Sequence, residues 1–450
     1  MKIISSLALC LAVALTTSCT HKLKSEYHPP VVEYPASWYK GDFTGDPAPF
    51  DWRTFNDPQL DSWLRQVMAS NTNVASAILQ LYRVRLKEKM VNIASDPGLT
   101  GSLSMSGNQP NVKNITSSLS TSYELDLWGK VARHHDIAAW ATQATEDDLR
   151  FARLTLLSEA SNNYWRIGFI NQQITALQQS ISSAKETLRL AKVRYRAGSV
   201  SSLDVLSARQ SLLVQENQLT DLQHERMQAL NQQAVLLNTA PGRPVVEPAS
   251  LPKGPMPQVK ANIPASVLRH RPDISAKEWK LRQALANVDV KRTEYYPTLN
   301  LTSSPGTGSG SLLALLQNPA GTLSASLTLP FLEWRQRRLD VKIARKDYEQ
   351  RLLEFKQSLY KAMSSIEDEL SQRNRLLAQE TRLKEKLALA RQSERLNEVH
   401  YRQGAVPVSD WLNAQGFRRE AESALDENRY AQFTNLAKIY LEFGGSSTFP

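Results

Sequence analysis

Around Gly198 the chain reads Tyr195-Arg196-Ala197-Gly198-Ser199-Val200, and 206 residues later it reads Tyr401-Arg402-Gln403-Gly404-Ala405-Val406. The same spacing carries Asp204, Leu206 and Ala208 onto Asp410, Leu412 and Ala414, and Trp128 onto Trp334. Anchors this far apart at one spacing leave no net insertion between them. A period so long means two copies of one large unit, since short-repeat solenoids have periods of roughly 20 to 50 residues. Whatever the chain folds into is built twice from similar parts.

Each copy carries a long helical stretch. From about Lys130 to Arg196 there is no proline and no glycine except Gly168, with Ala, Leu, Glu, Gln and Arg throughout. This predicts a single helix of about 67 residues, ~100 Å long at ~1.5 Å per residue. Ile170, Ile174, Leu177, Ile181, Ala184, Leu188 and Ala191 step by threes and fours, which is the spacing of a coiled-coil seam. The second copy places Leu376, Leu383, Leu387 and Ala390 in that register, but Glu380, Glu394 and Asn397 interrupt it, so a leakier seam is expected. After the turns at Gly198 and Gly404 the chain returns as second long helices, Leu203 to Leu237 and Asp410 to about Glu442. Two helical hairpins result, over 130–238 and 334–442.

Ahead of each hairpin the period changes to two. Leu119, Thr121, Tyr123, Leu125 and Leu127 alternate with Ser118, Ser120, Ser122, Glu124 and Asp126, and Leu323, Ala325, Leu327 and Leu329 alternate with Thr322, Ser324, Ser326 and Thr328. Leu99, Gly101, Leu103 and Met105, and again Leu299 and Leu301, supply partner strands, giving strand pairs near 99–127 and 297–331. The run Gly306-Thr307-Gly308-Ser309-Gly310 is assigned to a loop between Leu301 and Leu323. Strands apolar on one side and hydrophilic on the other suit a sandwich face or the wall of a membrane barrel. Four strands cannot close a barrel, because two open edges would leave backbone groups unsatisfied in hydrocarbon. Strands of this kind that cross a membrane must be pooled by several chains.

Residues 1–18 hold one charge, Lys2, then an apolar run from Ile3 to Leu15 and Thr16-Thr17-Ser18, which reads as an export signal. The run is too short to span a bilayer. Cys10 lies inside it, so the exported chain keeps one thiol, Cys19, and no intrachain disulfide. Directly after a small residue, Cys19 resembles a bacterial lipoprotein cleavage site, where the cysteine is acylated, although Thr16 stands where leucine is preferred. Ordinary signal cleavage with an idle thiol is the alternative. Residues 19–48 then read as an extended tether, 49–242 as the first copy, 243–265 as a proline-rich linker, 266–445 as the second copy and 446–450 as a tail.

The formal charge is +10, with basic residues scattered along helices and one denser cluster of Arg335, Arg337 and Arg338. In an exported chain such a balance suits solvated faces and anionic lipid head groups rather than nucleic acid. The pair His134-His135 diverges on a helix surface and does not form a metal site, and no zinc-protease, phosphate-loop or nucleophile-elbow motif is present. No enzyme and no cofactor are read here, the covalent lipid on Cys19 aside.

Trp52, Phe55, Asp57-Pro58 and Leu60, then Asn71-Thr72-Asn73-Val74, open the first copy; Arg269-His270-Arg271-Pro272-Asp273-Ile274 and Tyr296-Pro297-Thr298-Leu299 open the second; Phe443-Gly444-Gly445 closes it. With the duplication and the lipoprotein-like front, this set resembles the TolC and OprM family of outer-membrane efflux channels, in its lipoprotein, NodT-like branch. It departs from the family's ending by lacking a final tryptophan. The resemblance implies a mixed membrane α+β fold. In it, three chains each give four strands to one twelve-stranded outer-membrane β-barrel, which their long helices continue as a periplasmic α-helical barrel. It implies a homotrimer partnered by a periplasmic adaptor (membrane fusion protein) and an inner-membrane transporter of RND type, with the channel a passive exit duct for small molecules. Protein secretion through the same kind of duct, and a non-channel periplasmic scaffold lipoprotein, are the other readings.

By the same resemblance, Gly198, Ser199 and Val200 with Gly404, Ala405 and Val406 form the tips that meet the adaptor, and Asp204, Asp410, Tyr401 and Asn413 line the gate. Val406 stands in place of an arginine found in the TolC branch, and Asn413 in place of an acidic residue. An aspartate one turn into a helix is also a good partner for the helix dipole, which leaves Asp204 and Asp410 with a purely structural alternative.

Overall fold

The computed structural model describes residues 23–33, 51–107, 114–243, 246–257, 268, 271–309, 319–328 and 334–445. The export signal, Cys19, linker residues 258–265, Arg269, His270, Gly310 and the tail 446–450 lie outside the described residues.

A single 3-10 turn, Trp52–Phe55, leads into α1 (Pro58–Ser70), α2 (Thr72–Ala94), β1 (Gly98–Ser106), β2 (Asn114–Leu125), α3 (Lys130–Arg196) and α4 (Ser202–Leu236). The second half gives α5 (Pro272–Thr293), β3 (Thr298–Ser309), β4 (Pro319–Thr328), α6 (Trp334–Gln403) and α7 (Val408–Glu442). The chain divides into two compact units. One comprises residues 1–32, 78–148 and 273–358; the other comprises 33–77, 149–272 and 359–450.

The first unit contains one four-stranded antiparallel sheet in the order β1-β2-β3-β4, so the central pairing joins a strand from each half of the chain. The glycine-rich run expected to be a loop is a strand as far as Ser309: Gly306 to Ser309 belong to β3, with Gly306 opposite both Ser118 and Ala320. Pro305 pairs with Gly321 of β4 but sits where the ladder to β2 is interrupted, between the Ser303–Thr121 and Gly306–Ser118 pairs, a position that does not need its missing N–H. Pairing on both sides overrides local propensity, and glycine fits because a Cβ at position 306 would meet the Ser117 carbonyl oxygen at 3.0 Å.

Residues 23–32, without helix or strand, lie within this unit against α5. Ser25 donates from its backbone N–H (2.7 Å) and hydroxyl (2.6 Å) to Asp289, Tyr27 donates its hydroxyl to Glu278 (3.1 Å), and the Arg282 guanidinium covers the Tyr27 ring at 4.6 Å.

The second unit is built around the two hairpins. The seam on α3 is buried at Ile170, Leu177, Ile181, Ala184, Leu188 and Ala191, which pack on Ala208 and Leu212 of α4 and on Ala229. On α6, Leu376 and Leu387 are buried while Leu383 and Ala390 are half-buried, the leakier seam that Glu380 and Asn397 foretell. Trp52, Phe55, Trp165, Phe433 and Tyr440 form an aromatic cluster drawing together the 3-10 turn, α3 and α7. The short motifs turn out to be helix caps and ties. Asp57 accepts from the backbone N–H of Gln59 and Leu60 with Pro58 in the first helical position, and Asn71 accepts from Asn73 while donating to the Leu236 carbonyl at 3.0 Å. Arg271 pairs with Glu442 at the end of α7.

Candidate functional site

Three features of these units bear on function: the sheet face, the hairpin tips and a polar groove between the hairpins. In the sheet, the register puts Leu99, Leu103, Met105, Leu119, Tyr123, Leu301, Leu323 and Leu327 on one face. All of them are exposed, Leu323 at 84 %. The opposite face is a field of hydroxyls, with Ser102 bonded to Ser118 (2.7 Å), Ser104 to Thr116 (2.6 Å) and Ser304 to Ser120 (3.0 Å). Water would leave the apolar face uncovered at a loss of roughly 25 cal/mol per Å². Lipid on that side and water on the hydroxyl side satisfy both faces. Among the described residues no helix is long and apolar enough to cross a membrane.

The hairpin tips close in the same way twice. At the end of α3, Gly198 N–H bonds to the Tyr195 carbonyl (3.0 Å) and Ser199 N–H to Arg194 (2.9 Å); at the end of α6, Gly404 bonds to Tyr401 (3.0 Å) and Ala405 to His400 (2.9 Å). This paired pattern is the Schellman cap, which places the residue after the helix in the left-handed region. Gly198 has φ +72° and Gly404 φ +81°, with nothing within 4 Å of a Cβ at either, so glycine is needed for its backbone and not for space. Replacing Gly404 with isoleucine is therefore expected to distort the tip at a cost of ~1–2 kcal/mol without a clash. The check is thermal unfolding of the variant followed by circular dichroism, with its midpoint expected below that of the parent protein.

Among the described residues no hydrogen bond or ion pair joins the predicted gate residues to one another. Asp204 is half-buried and Asp410 exposed, each in the first turn of its helix, and Asn413 is exposed. Tyr401 is 2 % exposed, stacked on Trp411 with ring centres 5.3 Å apart, among Val406, Val408 and Leu412. Its hydroxyl is buried with no hydrogen-bond partner among the described residues, so it reaches neither aspartate. Ser199, Ala405 and Gly404 are exposed and Val200 and Val406 half-buried, leaving the tips open to contact.

Sequence reasoning missed Arg194. Its Nη1 donates to the Tyr401 carbonyl at 2.8 Å and its Nη2 to the Arg402 carbonyl at 3.4 Å, and its guanidinium carbon lies 4.9 Å from the centre of the Tyr401 ring. One arginine thus ties the tip of the first hairpin to the second. A basic residue in the last turn of α3 reads as a dipole partner for its own helix, and nothing local shows that it serves another.

Between the hairpins lies a groove of about 1490 Å³, its walls rich in glutamine and serine, among them Gln172, Gln173, Ser180, Gln210 and Ser211. Gln173 donates to Asp426 at 3.0 Å, and burial raises the Asp426 carboxyl above its ordinary pKa. Arg418 bridges Glu394 and Glu422. Among the described residues no group of three His, Cys, Asp or Glu side chains is placed to hold a metal ion.

A sheet with one apolar, exposed face, in a chain of long helical hairpins, fits the class of membrane β-barrel proteins. The sequence profile of the outer membrane efflux protein family matches residues 63–239 and 263–445, and the chain belongs to that family. It is 27 % identical over 417 residues to the pyoverdine export outer membrane protein OpmQ of Pseudomonas aeruginosa, covering 88 % of this chain and 86 % of that one. It is 28 % identical over 408 residues to nodulation protein T of Rhizobium leguminosarum bv. trifolii, with 86 % of each chain covered. The solved structure of the outer-membrane channel OprN superposes with a TM-score of 0.85 at 23 % identity, covering 96 % of this chain and 100 % of the other.

Proposed function

We propose that this chain is the outer-membrane channel of a tripartite efflux system, a passive exit duct for small molecules handed over by an inner-membrane pump through a periplasmic adaptor. The observation that carries the reading is the sheet: one face apolar and exposed, the other lined by hydroxyls, with two open edges at β1 and β4. Open edges in hydrocarbon demand partners, and further copies of the same chain supply them. Three copies with four strands each make the twelve-stranded barrel of the proposal. Pump and adaptor follow from the absence of any energy-converting motif in the sequence and from the open tips. An RND-type pump is the partner proposed, by family likeness.

A planar-bilayer recording of the purified protein, paired with its mass in detergent, tests this. A trimer with steady ion conductance is expected, and a monomer that stays in solution without detergent would overturn it. The acyl anchor on Cys19 belongs to the same proposal. Cys19→Ser is expected to abolish labelled palmitate incorporation, and labelling equal to the parent protein would reject the anchor.

A further inference from the structure

We propose that the end of the sheet where the helices join is a binding surface for the head groups of anionic phospholipids, held by Arg335 and Arg338 beside Trp334. The proposal rests on the channel reading above, in which the sheet crosses the membrane, and adds which lipid the chain prefers where the sheet ends.

Strand pairing brings the start of β1, the end of β2, the start of β3 and the end of β4 to one end of the sheet, where α2, α3, α5 and α6 attach within the first unit. The apolar face runs to this end, with Leu99 70 % and Leu327 58 % exposed. Aromatic side chains follow directly: Trp128 just past β2, Tyr296 just ahead of β3 and Trp334 at the first position of α6. Tryptophan and tyrosine gather where a membrane barrel meets water, because their rings are apolar and carry one polar group. Acyl chains along the sheet therefore give way to head groups at this level.

The two copies use the level differently. The 206-residue spacing carries Trp128 onto Trp334, Gly129 onto Arg335, Val131 onto Arg337, Ala132 onto Arg338 and Asp126 onto Leu332. In the first copy Trp128 is half-buried, packs on Tyr296 with ring centres 4.8 Å apart and donates its indole N–H to the Pro297 carbonyl at 2.8 Å. Asp126 there accepts from the backbone N–H of Val131 and Ala132, both at 3.0 Å. In the second copy Trp334 is 52 % exposed, the only exposed tryptophan among the described residues, and the Arg335 guanidinium carbon lies 5.5 Å from its ring centre. From Trp334 to Lys346 the helix carries Arg335, Arg337, Arg338, Lys342, Arg345 and Lys346 against one acid, Asp340.

The positive end of a helix dipole disfavours cations, so helix stability does not account for three arginines at the opening of α6. Arg337 serves the fold by donating to the Glu294 carbonyl at 2.7 Å. Arg335 and Arg338 are exposed and pair with no carboxylate among the described residues. Three residues apart, they share one helix face. Two guanidinium forks with an uncovered indole beside them and the apolar sheet adjoining match a phosphate that carries acyl chains. The uncompensated positive charge favours a lipid of net negative charge. Free phosphate would engage the arginines and leave the indole without a role.

The test is fluorescence quenching of the full-length protein in phosphatidylcholine vesicles. Rising proportions of phosphatidylglycerol brominated on its acyl chains, or of phosphatidylcholine brominated in the same way, give the relative affinity of the two lipids from tryptophan emission. The parent protein is expected to favour phosphatidylglycerol about 20-fold, roughly fivefold for each of the two arginines. Arg335→Gln with Arg338→Gln is expected to abolish that preference. Lys185→Gln with Arg189→Gln removes the same charge from exposed positions on α3 and is expected to leave it intact. Trp334→Phe is expected to remove the largest share of the quenching. A preference that survives loss of both arginines, undiminished quenching in Trp334→Phe, or a conducting parent protein quenched equally by both lipids overturns the proposal and leaves the channel standing. Replacing chloride with inorganic phosphate at equal ionic strength is expected to change nothing; a preference lost in phosphate alone would assign the arginines to the free ion and overturn the proposal as well. Mass in detergent checks the assembly of each variant, and should the double glutamine variant fail to assemble, the parent protein and Trp334→Phe decide the matter. A parent protein that neither brominated lipid quenches does not enter the membrane, which removes the channel reading and this proposal with it.

Discussion

Trp165→Ala is expected to destabilise the hairpin unit by about 3–5 kcal/mol, the range for removing a fully buried large aromatic side chain. Trp165 is 0 % exposed and sits at the centre of the aromatic cluster, with Phe55 at 4.8 Å and Phe433 at 5.0 Å between ring centres. Those two rings come from the 3-10 turn and from α7, while Trp165 comes from α3. The void would thus loosen three segments at once, the circumstance in which collapse around a cavity is least able to recover the loss. Trp165→Phe supplies the contrast. The indole Nε1 has no hydrogen-bond partner among the described residues, so the smaller ring forfeits volume but no polar contact, and a loss below about 2 kcal/mol is expected. Thermal unfolding followed by circular dichroism in detergent, with the yield of assembled protein in membranes, measures both. Equal losses for alanine and phenylalanine would show that the cluster is not the keystone described.

Gly168 gives the second large effect, and its sign is the interesting part. Mid-helix glycine normally costs about 1 kcal/mol relative to alanine, so propensity alone predicts that Gly168→Ala stabilises α3. The neighbours say the opposite. A Cβ there would lie 2.9 Å from the Ser250 carbonyl oxygen and 3.1 Å from its carbon, both backbone atoms. The segment they belong to cannot retreat easily. Asn171 donates to the Pro248 carbonyl at 2.9 Å, Gln233 to the Val246 carbonyl at 2.8 Å, and the Leu251 N–H to Gln172 at 3.3 Å, while Arg226 pairs with Glu247. Overpacking of this kind costs ~1–3 kcal/mol, which outweighs the propensity gain for alanine and grows for valine, whose branch adds bulk at the same point. Gly168→Ala should therefore lower the unfolding temperature, and Gly168→Val should lower it further and release residues 246–251 to protease. A rise in unfolding temperature for the alanine variant would mean that the helix and the segment across it are not in contact.

The two cases show where a linear reading of this chain succeeds and where it stops. Proline-free runs and apolar spacing placed α3 over Lys130–Arg196, both hairpin turns and the seam, because helix propensity, capping and coiled-coil packing are local and periodic. Alternation of leucine with serine placed the strands for the same reason. The glycine-rich stretch ending at Ser309 was missed, since its composition is that of a turn and only the flanking strands make it a strand. Gly168 was visible as an exception but had no meaning until residue 250 was found against it.

The candidate site divides along the same line. Gly198 and Gly404 were legible, because a glycine where two long helices reverse has one common physical cause, positive φ. Arg194 was not, because its partners are backbone carbonyls more than 200 residues away and carry no side-chain signature. By itself the sequence determined the period of the two hairpins and of the leucine-serine strand segments, where each hairpin turns back and that one sheet face is apolar. The tertiary structure alone decided which tyrosine of a matched pair is buried, which arginine ties the tips and which glycine lies under another strand of backbone. Local geometry is set by neighbours in the chain, whereas contacts between distant segments depend on packing that no short window of residues encodes.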